Sequence, residues 1–316
     1  SHSASFALLA YISAWLKRHH PAAFFAGLLN SQPMGFYSAS QLVQDARRHG
    51  VSVLPIDINH SEWDHQLLDS RSAQNSQPTL RLGLRLVRGL SREGAQRVVE
   101  ARLRQPFRQI SNLRQWAALD KRDMEALADA DALQSLSGHR HQSQWQIMAL
   151  ESPKPLLRDE QYQTASYFDD GVQLPAPQVA EEVLSDYRAT GLTLRAHPMS
   201  LLRERYPFSH CKRHTDLAAL GNKRFVRIAG LVTCRQRPGS ASGVLFLTLE
   251  DETGNSNIVV WQRTQQHFRQ ALMTGTLLMV KGIVESKDNV IHVIAGALYD
   301  YTHELQALQV KSRDFH

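Results

Sequence analysis

Cysteine is scarce in this sequence. Its 316 residues hold two, Cys211 and Cys234, with no C-x-x-C. A disulfide framework and a cysteine-rich zinc site are thereby excluded, and a reducing cytoplasm is the expected compartment. No apolar run approaches the ~20 residues of a membrane-spanning helix, so no membrane role is expected. No secretory signal is visible either. A G-x-S-x-G elbow, a Walker loop, a Rossmann fingerprint and a Cys/His nucleophile pair are all missing, so no catalytic residue and no metal ligand is assigned. Hydrophobic residues make up 42% of the chain, enough for true cores, which excludes global disorder. The chain opens Ser1-His2-Ser3 without Met, directly into an apolar helical pattern, which suggests a piece of something longer.

What is abundant is unevenly placed positive charge. Lys plus Arg is 36 against 30 acids, a net +6 and a pI near 9.4, compatible with nucleic acid. Eleven Lys/Arg and three acids lie between Arg81 and Arg122. Seven acids and no base lie between Asp159 and Asp186; nine bases and two acids lie between Arg203 and Arg237. Two basic blocks flanking an acidic one suggest separate modules.

Phe6, Leu8, Leu9, Ile12, Trp15 and Leu16 form a helical stripe that ends at Lys17-Arg18-His19-His20, a cationic close suited to the helix dipole. Pro21 blocks continuation and opens a second helix. Ser38-Ala39-Ser40-Gln41 has capping-box spacing for a third, ending near Gly50. Val51–Asn59 reads as extended and Asp69–Pro78 as polar loop. Leucines alternating from Leu80 to Leu86 suggest one brief strand. Short helices follow at Ser91–Leu103, Asp120–Asp129 and His139–Leu150. The proline-bearing stretch 152–178 reads as a linker, and a helix then precedes the Ala196-His197-Pro198 break. From Lys223 five alternating stretches, with a helix (Arg263–Leu272) between the third and fourth, fit a small Greek-key barrel of the OB type.

Two constellations suit a polyanion. Arg88-Gly89-Leu90-Ser91-Arg92 is a glycine turn opening a helix, whose N–H groups fit a phosphate, with Arg97 one turn on. With Asp120–Leu133 it forms a tandem helix-hairpin-helix arrangement that grips duplex backbone, or else an ordinary packing unit. The second repeat is weak: Ala130-Asp131-Ala132 lacks the glycines. In the barrel, Arg227, Arg235, Arg237, Phe246, Trp261 and Lys281 are the candidates for a single-strand groove, with Arg235-Gln236-Arg237 read as the turn between strands one and two. The alternative is that Phe246 and Trp261 are core. Asp129/Asp131 has two-metal spacing and His139/His141 metal-pair spacing, but both read as helix ends without supporting ligands. Glu250-Asp251-Glu252-Thr253-Gly254 reads as a hairpin turn with Gly254 at positive φ.

The order of segments resembles the C-terminal part of the bacterial C-family (DNA polymerase III alpha-type) DNA polymerases. Ser1 through Tyr11, Trp15-Leu16-Lys17 and His20-Pro21-Ala22 resemble the end of that family's fingers. Leu82 through Leu90 resembles the entry to the hairpin region, and Gly138-His139-Arg140 its close. Gly191-Leu192 through His197-Pro198 resembles the segment before the barrel. Ala229–Val232, Arg235–Gly239, Leu249–Gly254 and Val259-Val260-Trp261 resemble the OB domain. The Arg-Gln-Arg-Pro-Gly segment and the terminal Ser312-Arg313-Asp314-Phe315-His316 are similar to the error-prone branch, which serves damage-induced mutagenic synthesis and DNA repair.

The resemblance implies a multidomain α+β chain. Fingers helices and connector occupy 1–79, tandem hairpins 80–150, linker and helix 151–205, the OB barrel 206–305 and a tail 306–316. Catalytic aspartates belong to the family's palm, so this region is expected to hold primer-template duplex and single-stranded template, with Mg²⁺ expected only for the full-length polymerase. Gln306-Ala307-Leu308-Gln309-Val310 lacks the aromatic of a clamp-binding peptide. That implies recruitment through mutagenesis accessory proteins, one of them a clamp-binding partner. A scaffold docking such factors is the alternative function; a hairpin-plus-OB repair or tRNA-binding enzyme is a third.

Overall fold

The computed structural model describes residues 2–34, 37–69, 77–150, 172–238, 243–287 and 290–310. Most of the polar loop near 70–76, most of the linker (151–171), turn residues 239–242 and residues 311–316 of the tail lie outside them. The chain divides into two compact units, Ser1–Pro177 with Ser185–Leu194, and Gln178–Leu184 with Arg195–His316.

The first unit opens with α1 (His2–His19), α2 (Pro21–Asn30) and α3 (Ala39–Arg48). Pro21 begins α2, and Ser38 and Gln41 close a full capping box on α3, as their spacing predicts. The α1 stripe is helical but outward-facing: Phe6, Leu8, Leu9, Tyr11, Ile12 and Trp15 are 43–70% exposed. Three short strands follow, β1 (Val53–Leu54), β2 (Gln66–Leu68) and β3 (Thr79–Arg81), in the order β1-β3-β2. The expected strand over Leu80–Leu86 therefore stops at Arg81, and Leu84–Leu86 is a 3-10 turn. The reason is a change of partner. Leu84 and Arg85 donate to the carbonyls of Glu62 and Trp63, and Gly83 N–H donates to His65 Nδ1 at 3.1 Å. Then come α4 (Arg92–Arg104), α5 (Ile110–Trp116), α6 (Lys121–Asp129), α7 (Gln134–Ser137) and α8 (Arg140–Ala149). Residues from Ala22 to Ile147, with Leu192, share one buried core, which unites the three-stranded sheet and the hairpin helices.

His65 gives this core a pH dependence. Burial, with Arg85 adding to it, lowers its pKa to about 4, and its neutral ring must accept the Gly83 N–H. Below pH 6.5 the unfolded imidazole takes a proton that the folded one refuses, so stability falls as pH drops from 6.5 towards 4. The expected loss is about 3 kcal/mol. Chemical denaturation across that range checks it: His65→Gln is expected to flatten the slope by about one proton, and an unchanged slope would contradict the assignment.

α9 (Val179–Ala189) is divided between the units at Ser185, and the second unit continues with α10 (Pro198–Leu202), α11 (Leu217–Leu220), β4 (Phe225–Gln236), β5 (Leu245–Glu250) and β6 (Asn255–Val260). Next are α12 (Gln262–His267), α13 (Arg269–Thr274), β7 (Leu277–Lys287), β8 (Val290–Asp300) and α14 (Thr302–Val310). The five strands close in the order β4-β5-β6-β8-β7, with only β6 and β8 parallel, and α12–α13 between the third and fourth strands. Val226, Ile228, Leu245, Leu247, Leu249, Ile258, Val260, Val280 and Val293 fill the barrel. A second cluster, including Met199, Leu202, Phe208, Ala229 and Met279, covers part of its outer wall.

Two barrel expectations are corrected. Arg235 and Gln236 are not in a turn: β4 runs through Gln236, and both residues pair with β5 at Leu247 and Phe246. Gly254 is not at positive φ. The Asp251 carboxylate shapes that turn by accepting from Thr253 N and Oγ1 (both 2.7 Å) and from Gly254 N (3.0 Å). Glycine is needed there for close approach, because a Cβ would lie 2.5 Å from His214 Cδ2. The turn's charge is spent internally as well. Arg203 makes paired hydrogen bonds to Glu252, 2.9 and 2.7 Å. Burial would raise the Glu252 carboxyl, but Arg203 outweighs it and holds it below the usual range.

Candidate nucleic-acid interface

The first hairpin turns at Gly89 (φ +89°), and Ser91 caps α4 by accepting the Gly94 N–H at 2.9 Å. The N-terminus of α4 already faces an anion. Buried Asp123, from α6, accepts the Ser91 N–H and the Ser91 hydroxyl, both at 2.8 Å. Arg97 donates to the Ala117 and Ala118 carbonyls, 2.9 and 3.4 Å, where α5 ends. Arg88 donates to the Tyr187 and Arg188 carbonyls, 3.3 and 3.0 Å. Of the five hairpin candidates, Arg88, Ser91 and Arg97 thus hold the unit together. Gly89 and Arg92 lie exposed on the turn, with the Arg92 guanidinium 5.9 Å from the Trp63 ring centroid.

The same economy runs through the basic block. Arg81, Arg85, Arg102 and Arg114 also donate to backbone carbonyls within the unit. Arg104, Arg108 and Arg122 are exposed and were not singled out in the sequence. Their charge is in the count, but only the hydrogen bonds formed on folding separate arginines that serve the fold from the rest, since Arg88 is exposed too. The second hairpin reaches the left-handed region without glycine: Asp131 has φ +55°. Asp is among the few residues that tolerate this. Asp131 is buried, while Asp129 Oδ1 accepts from Gln144 at 2.8 Å. His139 caps α8, accepting the Gln142 N–H at 3.3 Å.

In the barrel, period-two alternation sends Leu245, Leu247 and Leu249 inward and Phe246 outward. Likewise Ile258 and Val260 point in and Val259 out. Trp261, at the end of β6, is 53% exposed. Neither Phe246 nor Trp261 belongs to the core. Phe246 stands directly between Gln236 on β4 and Val259 on β6. Arg237 lies against α12, donating to Gln265 Oε1 at 2.6 Å, and Gln265 in turn donates to the Gly243 and Val260 carbonyls. Arg235 is spent differently. It donates to the carbonyls of Leu272, at 2.7 Å, and Gly275, capping the end of α13.

The barrel candidates do not form one groove. Arg227 lies on the half of β4 that pairs with β7, directly opposite Lys281. Nine positions of β4 separate Arg227 from Gln236, about 30 Å along an extended strand. The six residues thus fall into one group around Phe246, Trp261 and Arg237, a second at Arg227 and Lys281, and Arg235 tied to α13.

Comparison with known proteins agrees with both units. Residues 50–143 match the helix-hairpin-helix motif family, and residues 226–306 match the family of OB-fold nucleic acid binding domains. The error-prone DNA polymerase of Saccharophagus degradans is 52% identical over the whole of this chain. Those of Teredinibacter turnerae and Pseudomonas aeruginosa are 51% and 48% identical, also over all of it. The chain spans about 30% of the length of these relatives. No helix among the described residues is long and apolar enough to cross a membrane. A helix-hairpin-helix region followed by a closed OB barrel, matched end to end at about half identity, makes this chain the counterpart of the C-terminal part of the error-prone DNA polymerases.

Proposed function

We propose that this chain is the DNA-holding region of an error-prone polymerase used in translesion synthesis and repair. In this reading the β5–β6 face of the barrel grips single-stranded template, with bases stacked on Phe246 and Trp261 and Arg237 beside them. The hairpin unit lies along primer-template duplex through the Gly89–Arg92 turn and the exposed Arg104, Arg108 and Arg122. Mg²⁺-dependent nucleotidyl transfer is the expected chemistry of the whole polymerase. Accessory mutagenesis proteins are its expected partners, and a pull-down with added nuclease separates docking from shared DNA.

The observation that carries this reading is that Phe246 and Trp261 stand outside a barrel core that is complete without them. Stacking is worth about 1–3 kcal/mol per base, so Phe246→Ala with Trp261→Ala is expected to weaken binding of oligothymidylate at least ~30-fold in fluorescence anisotropy. Duplex binding and the unfolding midpoint are expected to hold. Unchanged single-strand affinity would defeat the assignment of this face.

A further inference from the structure

We propose that the barrel carries a second single-strand site, on the outer face of β4, β7 and β8, centred on Arg227 and Lys281. This rests on the reading of the barrel as a single-strand holder and extends it to a separate surface. Arg227 and Lys281 are direct cross-strand partners on the outward face. Like charges so placed destabilise a sheet unless an anion joins them. Lys212 adds a third cation: its N–H donates to the Arg227 carbonyl at 2.7 Å, and its side chain is exposed.

Aromatic and aliphatic surface surrounds these charges. Phe225 and Ile283, the next outward pair along the same two strands, are 62% and 49% exposed. Tyr299 on β8 is 38% exposed, and the Lys281 ammonium sits 4.8 Å from its ring centroid. Towards the other end of β4 and β7, the same wall is covered by Met199, Leu202 and Phe208, packed on Ala229 and Met279. The open remainder is therefore a bounded patch. Glu285 lies two outward positions beyond Lys281, opposite His292, and marks its acidic edge.

The chemistry selects the ligand. Cations spaced along a strand pair suit successive phosphates, and rings beside them suit bases of any sequence. An acidic peptide would use the cations but leave Phe225 and Tyr299 without a consistent partner. A strand reaching both faces must span the distance between Arg227 and Gln236, so short oligonucleotides fill one site and long ones both.

The test uses the whole chain with oligothymidylates of about 6 and about 24 nucleotides in a salt series. Arg227→Ala with Lys281→Ala is expected to leave the short oligonucleotide bound as before. It is expected to weaken the long one about tenfold and to reduce its log–log salt slope by about 1.4, for two phosphates no longer neutralised. Arg227→Gln with Lys281→Gln, which keeps side-chain length, is expected to behave alike, and unfolding curves verify the fold of both. If the long oligonucleotide keeps its affinity and slope while Phe246→Ala with Trp261→Ala still weakens binding, the second site falls and the first stands. If neither pair changes binding, both readings fall. If the Arg227/Lys281 variant keeps DNA but loses an acidic, phenylalanine-bearing peptide, the patch docks protein and the proposal is overturned.

Discussion

Replacing Asp186 with alanine is expected to cost the hairpin unit about 3–5 kcal/mol of unfolding free energy. Its partner Arg140 is 3% exposed and sits 2.5 Å from Asp186 Oδ1, with Nε donating to the Asp129 carbonyl at 3.0 Å. The second Asp186 oxygen accepts the Thr193 hydroxyl at 2.7 Å. Removing the carboxylate takes from a buried guanidinium the charge that Asp186 sets against it. Removing both charges is a different matter. Arg140→Met with Asp186→Leu takes away the desolvation penalty along with the attraction, so the double variant is expected to lie within about 1–2 kcal/mol of the parent. Urea unfolding followed by tryptophan fluorescence reads this directly, because Trp15, Trp63, Trp116 and Trp145 all lie in this unit and only Trp261 lies outside it. Equal losses for the single and double variants would show that packing, not the ion pair, sets the cost.

Gly94→Ala is expected to be nearly as damaging, about 3–5 kcal/mol. A Cβ at Gly94 would stand 2.3 Å from Asp123 Oδ2 and 2.7 Å from Ser91 Oγ. The methyl would therefore occupy the space through which α6 reaches α4. Alanine is ordinarily the better helix former, by about 1 kcal/mol, so intrinsic propensity predicts the opposite sign. What is lost is a carboxylate accepting two hydrogen bonds at a helix N-terminus, each worth about 1.5–3 kcal/mol when charge-assisted. Asp123→Ala, which empties the space and forfeits the same two bonds, is expected to destabilise by a similar amount. Its combination with Gly94→Ala is expected to be far from additive. Additive losses in the same urea titration would place the clash somewhere other than Asp123.

Much of the architecture is legible residue by residue. Ser38 and Gln41 announce α3 because both halves of a capping box lie within four residues. The alternating Leu245-Phe246-Leu247 announces a strand and, with its neighbours, the face on which Phe246 must lie. The barrel's closure follows from five such strands and the helix inserted before the fourth. Legibility fails where the partner is remote or the cause is steric. Arg88 looks like a phosphate ligand because it adjoins a glycine turn, yet its guanidinium is held by carbonyls about a hundred residues away. Gly254 looks like a positive-φ residue, yet it is required by the ring of His214.

By itself the sequence determined the opening helices, the five barrel strands, the likeness to error-prone polymerases and the supply of positive charge, since each depends on neighbours along the chain. Only the tertiary structure decided which of those charges face water. An arginine's reach is long enough to find a carbonyl anywhere that folding brings near, and burial, unlike periodicity, is a property of the packed whole. For that reason Arg235 ends up capping α13 while Arg227, with the same chemistry, stands beside Lys281 on an open wall.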